Sequence, residues 1–311
     1  MADKVLIIGR MSMKLIMNMY KVPALGETLV DDGGVAYIPG GEGSGSAIAF
    51  ARLGADALLA GKVGADVHGQ RLYSYYRESG INTSLIKVER GEPTALSVVM
   101  REGAGERTLL YPGAAAAYTV ANLLEALSSM PDCIYVGLGM PWETVTAAVN
   151  LAETRGIPVF AEADIYAKDK ELSELSGIEV LLLDEDEAFA YSGVMPEGID
   201  ASLRASLTIH KKIRAKYIVI RQGERGVFIY DGKRYYVVGA VKAGKCVDRS
   251  SEREAFAAAM TVEYLRTGDI QAAVKYGSAA AAITVTREGS YGSIPTDAEV
   301  REFTLRPEYP Y

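Results

Sequence analysis

The stretch "SGSAIAFARLGADALLAGKVG", residues 44–64, changes its period halfway along. Its first half carries small and apolar side chains at helical spacing and stops at Gly54, a residue that commonly ends a helix. Its second half, residues 56–64, is a short apolar run between Asp56 and Gly64, which reads as a strand. A helix running directly into an apolar strand is the repeating step of an α/β protein.

The same step recurs outward in both directions. "KVLIIG" (4–9) reads as a first strand and "VHGQRLYSYYRESG" (67–80) as a helix with Gly80 as its stop. "DCIYVGLG" (132–139), "WETVTAAVNLAETRG" (142–156) and "IPVFAEAD" (157–164) read as strand, helix, strand. "VLLLDEDEAFAYSG" (180–193) passes from strand to helix, and "AKYIVIRQGERGVFIYDG" (215–232) is strand, tight turn, strand. Two helices close the chain, over 251–268 and 269–289. Such alternation predicts a mostly parallel sheet covered on both faces. Two segments interrupt it. "RMSMKLIMNMYKV" (10–22) places Met11, Met13, Leu15, Met17 and Met19 at period two, as a strand does. "TALSVVMREGAGERTLLYP" (94–112) reads as two strands joined by a glycine-rich turn from Glu102 to Gly105. These predict a small β-layer outside the main sheet, within one domain.

Composition limits the function classes. A formal net charge of −7 argues against a general nucleic-acid or anionic-membrane surface. No run approaches the roughly 18 apolar residues of a membrane span, and the N-terminal run is too short for a signal peptide. A cytoplasmic location is expected. Cys133 and Cys246 sit in apolar contexts and are expected to be buried thiols. With His68 and His210 isolated, no zinc-ligand spacing is present.

Taken in order and spacing, several motifs resemble those of the ribokinase-like, or PfkB, carbohydrate kinases. They are "PGGEGSGSAIAFARLGADALLAGKVGADVHG" (39–69), "SGIEVLLLDEDEAFAYSG" (176–193), "IVIRQGERGVFIY" (218–230), "VDRSSEREAFAAAMTVEYL" (247–265) and "AAAAITVTREGSYGSIPT" (279–296). The resemblance implies a three-layer α/β/α sandwich over residues 1–311, with a small β-sheet lid from segments within 10–38 and 94–113. It also implies ATP and Mg2+ if the chain is active, a small-molecule ligand, and pairing of two copies through the lid.

The matching positions keep the turns and change the chemistry. The family's closing D-T-x-G-A-G-D-x-F reads here Asp248, Arg249, Ser250, Ser251, Glu252, Arg253, Glu254, Ala255, Phe256. In the family the glycine backbone at this helix start forms an anion hole, and the last Asp is the base. Glu254 takes the base position, with Ser251, Glu252 and Arg253 in the hole. A carboxylate at Glu252 about 4 Å from a phosphate oxygen would cost roughly 4 kcal/mol at an effective dielectric of 20. The alternative is an inert, Ser-capped helix start with two glutamates near its positive end. The sugar-reading Asn-x-Asp is replaced by Ser12, Met13 and Lys14, and G-G-K-G-x-N by Gly40, Gly41, Glu42, Gly43, Ser44, Gly45. In the family's N-x-x-E the Asn has become Asp184 while Glu187 remains. Asp184 and Glu187 are either a Mg2+ pair or a solvated helix start. The nucleotide turn T-x-G-x-x-G keeps Gly223 and Gly226 and has Arg221 for Thr, and Ser278 stands in the run flanking the base.

The methionine stripe reads as packing rather than a Cu(I) site, and Tyr37, Tyr111 and Tyr118 are candidates to stack on a ligand near the lid. Two functions follow from the pattern. One is a pseudokinase or very weak kinase that keeps a scaffold binding a sugar, nucleoside or nucleotide. The other is an active ATP-dependent kinase for an unusual sugar or nucleoside, with Glu254 as general base. A weaker third is a subunit that assembles through the lid. Because Lys14 and Glu42 both reverse the sign the family carries there, they are expected to share one pocket as an ion pair or a water-bridged pair.

Overall fold

The computed structural model describes residues 2–103 and 105–306. The strands are β1 (Lys4–Ile8), β2 (Ser12–Met19), β3 (Val35–Gly40), β4 (Asp56–Gly64), β5 (Ile86–Glu89), β6 (Ala95–Glu102), β7 (Gly105–Tyr111), β8 (Cys133–Gly137), β9 (Val159–Glu162), β10 (Ser176–Leu183), β11 (Arg214–Arg221), β12 (Val227–Tyr230) and β13 (Tyr235–Val238). The α-helices are α1 (Glu42–Arg52), α2 (Val67–Glu78), α3 (Val120–Leu127), α4 (Trp142–Arg155), α5 (Glu185–Ser192), α6 (Ile199–Lys212), α7 (Glu252–Thr267), α8 (Ile270–Thr284) and α9 (Asp297–Thr304).

Nine strands form one sheet in the order β13-β12-β11-β10-β9-β8-β1-β4-β5. From β11 to β5 every pairing is parallel, and β12 and β13 add antiparallel at one edge. Strands buried on both faces need apolar side chains of both parities, and β1 shows this plainly. Val5 and Ile7 join one core with α1, α2, α7 and α8, while Leu6 and Ile8 join the other with α3, α4, α5 and α6. The result is an α/β/α sandwich. Gly156, Gly193 and Gly268 end α4, α5 and α7 in the left-handed conformation.

The interrupting segments form a second sheet, β3-β2-β6-β7. The period-two stretch is a strand over Ser12–Met19, paired parallel to β6. Met11 and Met13 enter the main core, and the face beyond them is half-buried. Ala104, in the turn expected between β6 and β7, lies outside the described residues. One expectation is corrected here: Cys133 is buried on β8, but Cys246 is exposed, because its loop runs along the mouth of a cavity rather than into the core. Among the described residues no helix is long and apolar enough to cross a membrane.

One close approach fixes α1 against β1. The Gly43 N–H donates to the Arg10 carbonyl at 3.0 Å, and a Cβ added at Gly43 would stand 2.6 Å from the carbonyl carbon and oxygen of Gly9. Backbone cannot move aside as a side chain can. The Gly43→Ala variant is therefore expected to lose roughly 1–3 kcal/mol of stability through overpacking. Urea denaturation measures this, and an unchanged midpoint would show that α1 and β1 can separate without cost.

Candidate active site between two cavities

The parallel strands β11, β10, β9, β8 and β1 are neighbours, so their C-terminal ends lie side by side. This end of an open α/β sheet is where ligands bind. The chain places charge there: Arg10 after β1, Glu162 ending β9, Asp164 beyond it, Asp184 after β10, and Arg221 ending β11. The N-terminal turn of α7 comes up against this row. Glu252 lines one cavity, of about 270 Å3, and the next two residues, Arg253 and Glu254, line another, of about 390 Å3. Three successive side chains thus reach two separate spaces.

Arg253 crosses to the strand ends. Its Nε donates to a carboxylate oxygen of Glu162, Nη1 to Asp184 at 3.2 Å, and Nη2 to Glu187 at 2.8 Å and to the Ala163 carbonyl at 3.1 Å. Four of the five N–H donors of a guanidinium are engaged. Burial alone would lower the Arg253 pKa, but Glu162 and Glu187 outweigh it and hold the group well above its ordinary value. Burial raises the Glu187 carboxyl to about 7 against the pull of Arg253. Asp184 is also the N-cap of α5: it accepts from the Glu187 N–H at 2.8 Å, and Glu187 accepts from the Asp184 N–H at 2.9 Å. The segment 184–187 is therefore a capping box, with Glu187 buried and Asp184 part-exposed.

Glu254 is half-buried at the wall of the larger cavity. Burial and the nearby Glu162 raise its pKa. The extra methylene relative to Asp has a place to go. A Cβ at Gly45 would stand 2.7 Å from the Glu254 Cγ and 2.8 Å from its Oε1, so Gly45 is the space that Glu254 fills. Lys14 lines the same cavity and its charge acts on Glu254. The expected Lys14–Glu42 ion pair is not among those of the described residues. Glu42 instead bonds Arg10, accepting from its Nη2 at 2.9 Å and its backbone N–H at 3.1 Å. Arg10 follows β1 directly beside the start of α1, whereas Lys14 has already moved out along β2. Burial raises the Glu42 pKa and Arg10 opposes the rise.

The smaller cavity has apolar walls from Val241, Ala281, Ala282 and Val285, on the loop before α7 and on α8. Arg221, Lys242, Arg249, Glu224 and Glu252 line it as well. Glu252 pairs with Arg249 at 3.0 Å, so its charge is offset and the repulsion expected of it is weaker than sequence alone implied. Arg221 lies over the Phe256 ring at 5.8 Å, and its Nε is buried without a hydrogen bond. Burial, then the charge of Arg253, lowers its pKa. Ser251 precedes α7 but makes no capping bond: its hydroxyl faces that of Ser290 at 3.5 Å. That corrects the Ser-capped helix start.

The structure gathers Lys14, Gly41, Glu42, Glu187, Arg253 and Glu254 around the larger cavity. It gathers Arg221, Gly223, Gly226, Glu252 and Ser278 around the smaller one. Gly40 packs on Lys14, and Ser12 is buried with its hydroxyl unpartnered. The stacking tyrosines fall elsewhere: Tyr118 is buried, Tyr37 is exposed and stacked on His68 at 6.1 Å, and exposed Tyr111 donates to Glu92 at 3.0 Å. Tyr166 and Tyr291 line the larger cavity in their place. Sequence reasoning also missed Arg10, Glu162 and Asp164. A carboxylate ending a fully buried strand, as Glu162 does in "VFAE", was the available signal.

The acidic row does not fit a divalent cation. The oxygens of Glu162, Asp184 and Glu187 that face one another already accept from Arg253, and a metal ion would sit against its charge. Among the described residues no group of three or more His, Cys, Asp or Glu side chains is disposed to hold a metal ion.

Residues 2–297 match the model of the pfkB family carbohydrate kinases. The chain is 29% identical over 287 residues to a ribokinase of Haemophilus influenzae, covering 89% of this chain and 90% of that protein. It is 28% identical over 301 residues to a ribokinase of Bacillus subtilis, covering 95% and 97%. In three dimensions it superposes on the Arabidopsis thaliana ribokinase complexed with ribose and ATP, with a TM-score of 0.87 at 20% identity, over 98% of this chain and 100% of that one.

Two outcomes test the geometry. Gly45→Ala is expected to destabilise the fold by driving into Glu254, and Glu254→Asp to relieve it. The double-mutant cycle should then show a coupling of about 0.5–3 kcal/mol, whereas additivity would separate the two residues. The second concerns Glu187. Its folded-state pKa of about 7 lies above the ordinary 4.5, so the folded state keeps a proton that the unfolded state has released. This contribution is present at low pH and lost as pH rises through 7. The stability difference between wild type and Glu187→Gln, followed by denaturation from pH 4.5 to 8, should move against wild type with rising pH. A pH-independent difference would contradict it.

Proposed function

The chain belongs to the pfkB family of carbohydrate kinases, and from that premise we propose that it is a binding protein on a kinase scaffold, with phosphoryl transfer absent or very slow. In this reading a nucleotide enters the smaller cavity, and a sugar or nucleoside enters the larger one under the second sheet, which acts as a lid. The observation that carries the reading is the N-terminal turn of α7. Free N–H groups and positive potential at a helix start bind anions. Here the turn carries charge of its own instead: Glu252 holds Arg249, Arg253 is tied to Glu162, Asp184 and Glu187, and Glu254 stands at the wall of the larger cavity. A phosphoryl group in flight between the cavities would meet the carboxylates of Glu252 and Glu254.

Exposed Val35, Tyr37, Leu109 and Tyr111 on the second sheet support pairing of two copies through that sheet, and a cytoplasmic location completes the reading. One observation favours the alternative of a working kinase. Gly45 is shaped to the longer Glu254 side chain, and burial raises its pKa toward the range useful in a general base.

Thermal-shift titration with ATP, ADP, pentoses, hexoses and nucleosides should reveal at least one stabilising ligand. An ADP-release assay on that ligand should give turnover well below the roughly 1–100 s−1 of ordinary kinases. A rate inside that range that falls with Glu254→Gln would establish the alternative instead.

A further inference from the structure

We propose that arginine does the work of a metal ion in this site: the Arg253 guanidinium fills the carboxylate row, Arg221 faces the bound anion, and binding needs no divalent cation. The inference rests on the reading that a nucleotide enters the smaller cavity. It begins with the carboxylates. Glu162 from the end of β9, and Asp184 and Glu187 from the start of α5 after β10, point at one place. Unneutralised, three such groups beside a phosphate would repel it or recruit a cation. The chain supplies that cation from α7, one residue before Glu254, with four donors fixed by four acceptors. A divalent ion would have to take oxygens at about 2.0–2.6 Å that already accept from these donors.

Arg221 adds a second, independent observation. It is half-buried, lines the smaller cavity, and its Nε is buried without any hydrogen bond. A guanidinium whose buried Nε has no acceptor is an incomplete site, and the group that completes it is an anion. Its charge lies within reach of Arg253, Glu252, Glu162 and Asp184. Two guanidinium groups, Arg253 held by three carboxylates and Arg221 with a buried donor unused, thus supply the positive charge at this site.

Two measurements on the full chain decide it. ATP binding is titrated calorimetrically in Mg2+ and in EDTA. The dissociation constants should agree within about threefold, and a loss of more than about tenfold in EDTA would overturn the proposal. Mn2+ binding without nucleotide is then followed by electron paramagnetic resonance. Wild type and Glu187→Gln should behave alike, and a Mn2+ ion held by wild type but lost in Glu187→Gln would overturn it. Arg253→Gly should gain a Mn2+ site that the Arg253→Gly/Glu187→Gln double variant lacks. An Arg253→Gly protein as indifferent to Mn2+ as wild type would remove Arg253 from the account. If Arg253→Gly does not fold, the wild-type and Glu187→Gln comparisons decide. Failure of ATP to bind would refute the nucleotide reading, while the Mn2+ comparisons still judge whether Arg253 excludes the metal.

Discussion

A guanidinium keeps its proton at any pH a protein experiences, so a chain that turns one inward must arrange acceptors around it. Arg253 imposes that requirement on the centre of this molecule. Its partners are the last residue of β9, the carbonyl that follows, the N-cap of α5 and the third residue of α5. The tip of α7 is thereby tied to the ends of two adjacent strands. With Glu162 and Glu187 both buried, removing the cation would leave charges whose uncompensated burial costs about 3–5 kcal/mol. The position of α7, and of the two cavities on either side of its first turn, follows from this one charge.

Much of the frame was legible from local pattern. Apolar runs bounded by Gly and Asp gave the strands of the main sheet, and period two in 10–22 gave β2. These are short-range signals, and both cores form wherever such strands are covered by helices. The partners inside the site were not legible. Glu42 is 32 residues from Arg10, and Arg253 is 91 from Glu162, so their pairing depends on strand order and register rather than on spacing. Sign complementarity alone pointed Glu42 at Lys14. It could not reveal that Arg10, at the turn out of β1, stood closer. The exposure of Cys246 was missed for a related reason: an apolar neighbourhood in sequence became a cavity mouth in space.

Resemblance to a family and physical chemistry answer different questions here. The turns and core that the family shares set the scaffold. The departures were visible one at a time in sequence, but their relation was not. Gly45 for a sugar-facing Asn and Glu254 for Asp look like two losses until the structure brings them within contact. Glu252 looks like pure repulsion until Arg249 and Arg221 are placed beside it.

The fit between Gly45 and Glu254 bears on how such a chain can change. A shorter acid at 254 alone opens a void over a glycine, and a larger residue at 45 alone collides with the glutamate. Replacing Arg253 alone strands buried carboxylates. Each position has become the mould for another, so a lone step at any of them goes downhill before it goes anywhere useful. Movement through sequence space here proceeds by paired steps or not at all, and the route by which this site was assembled is not open to simple retracing.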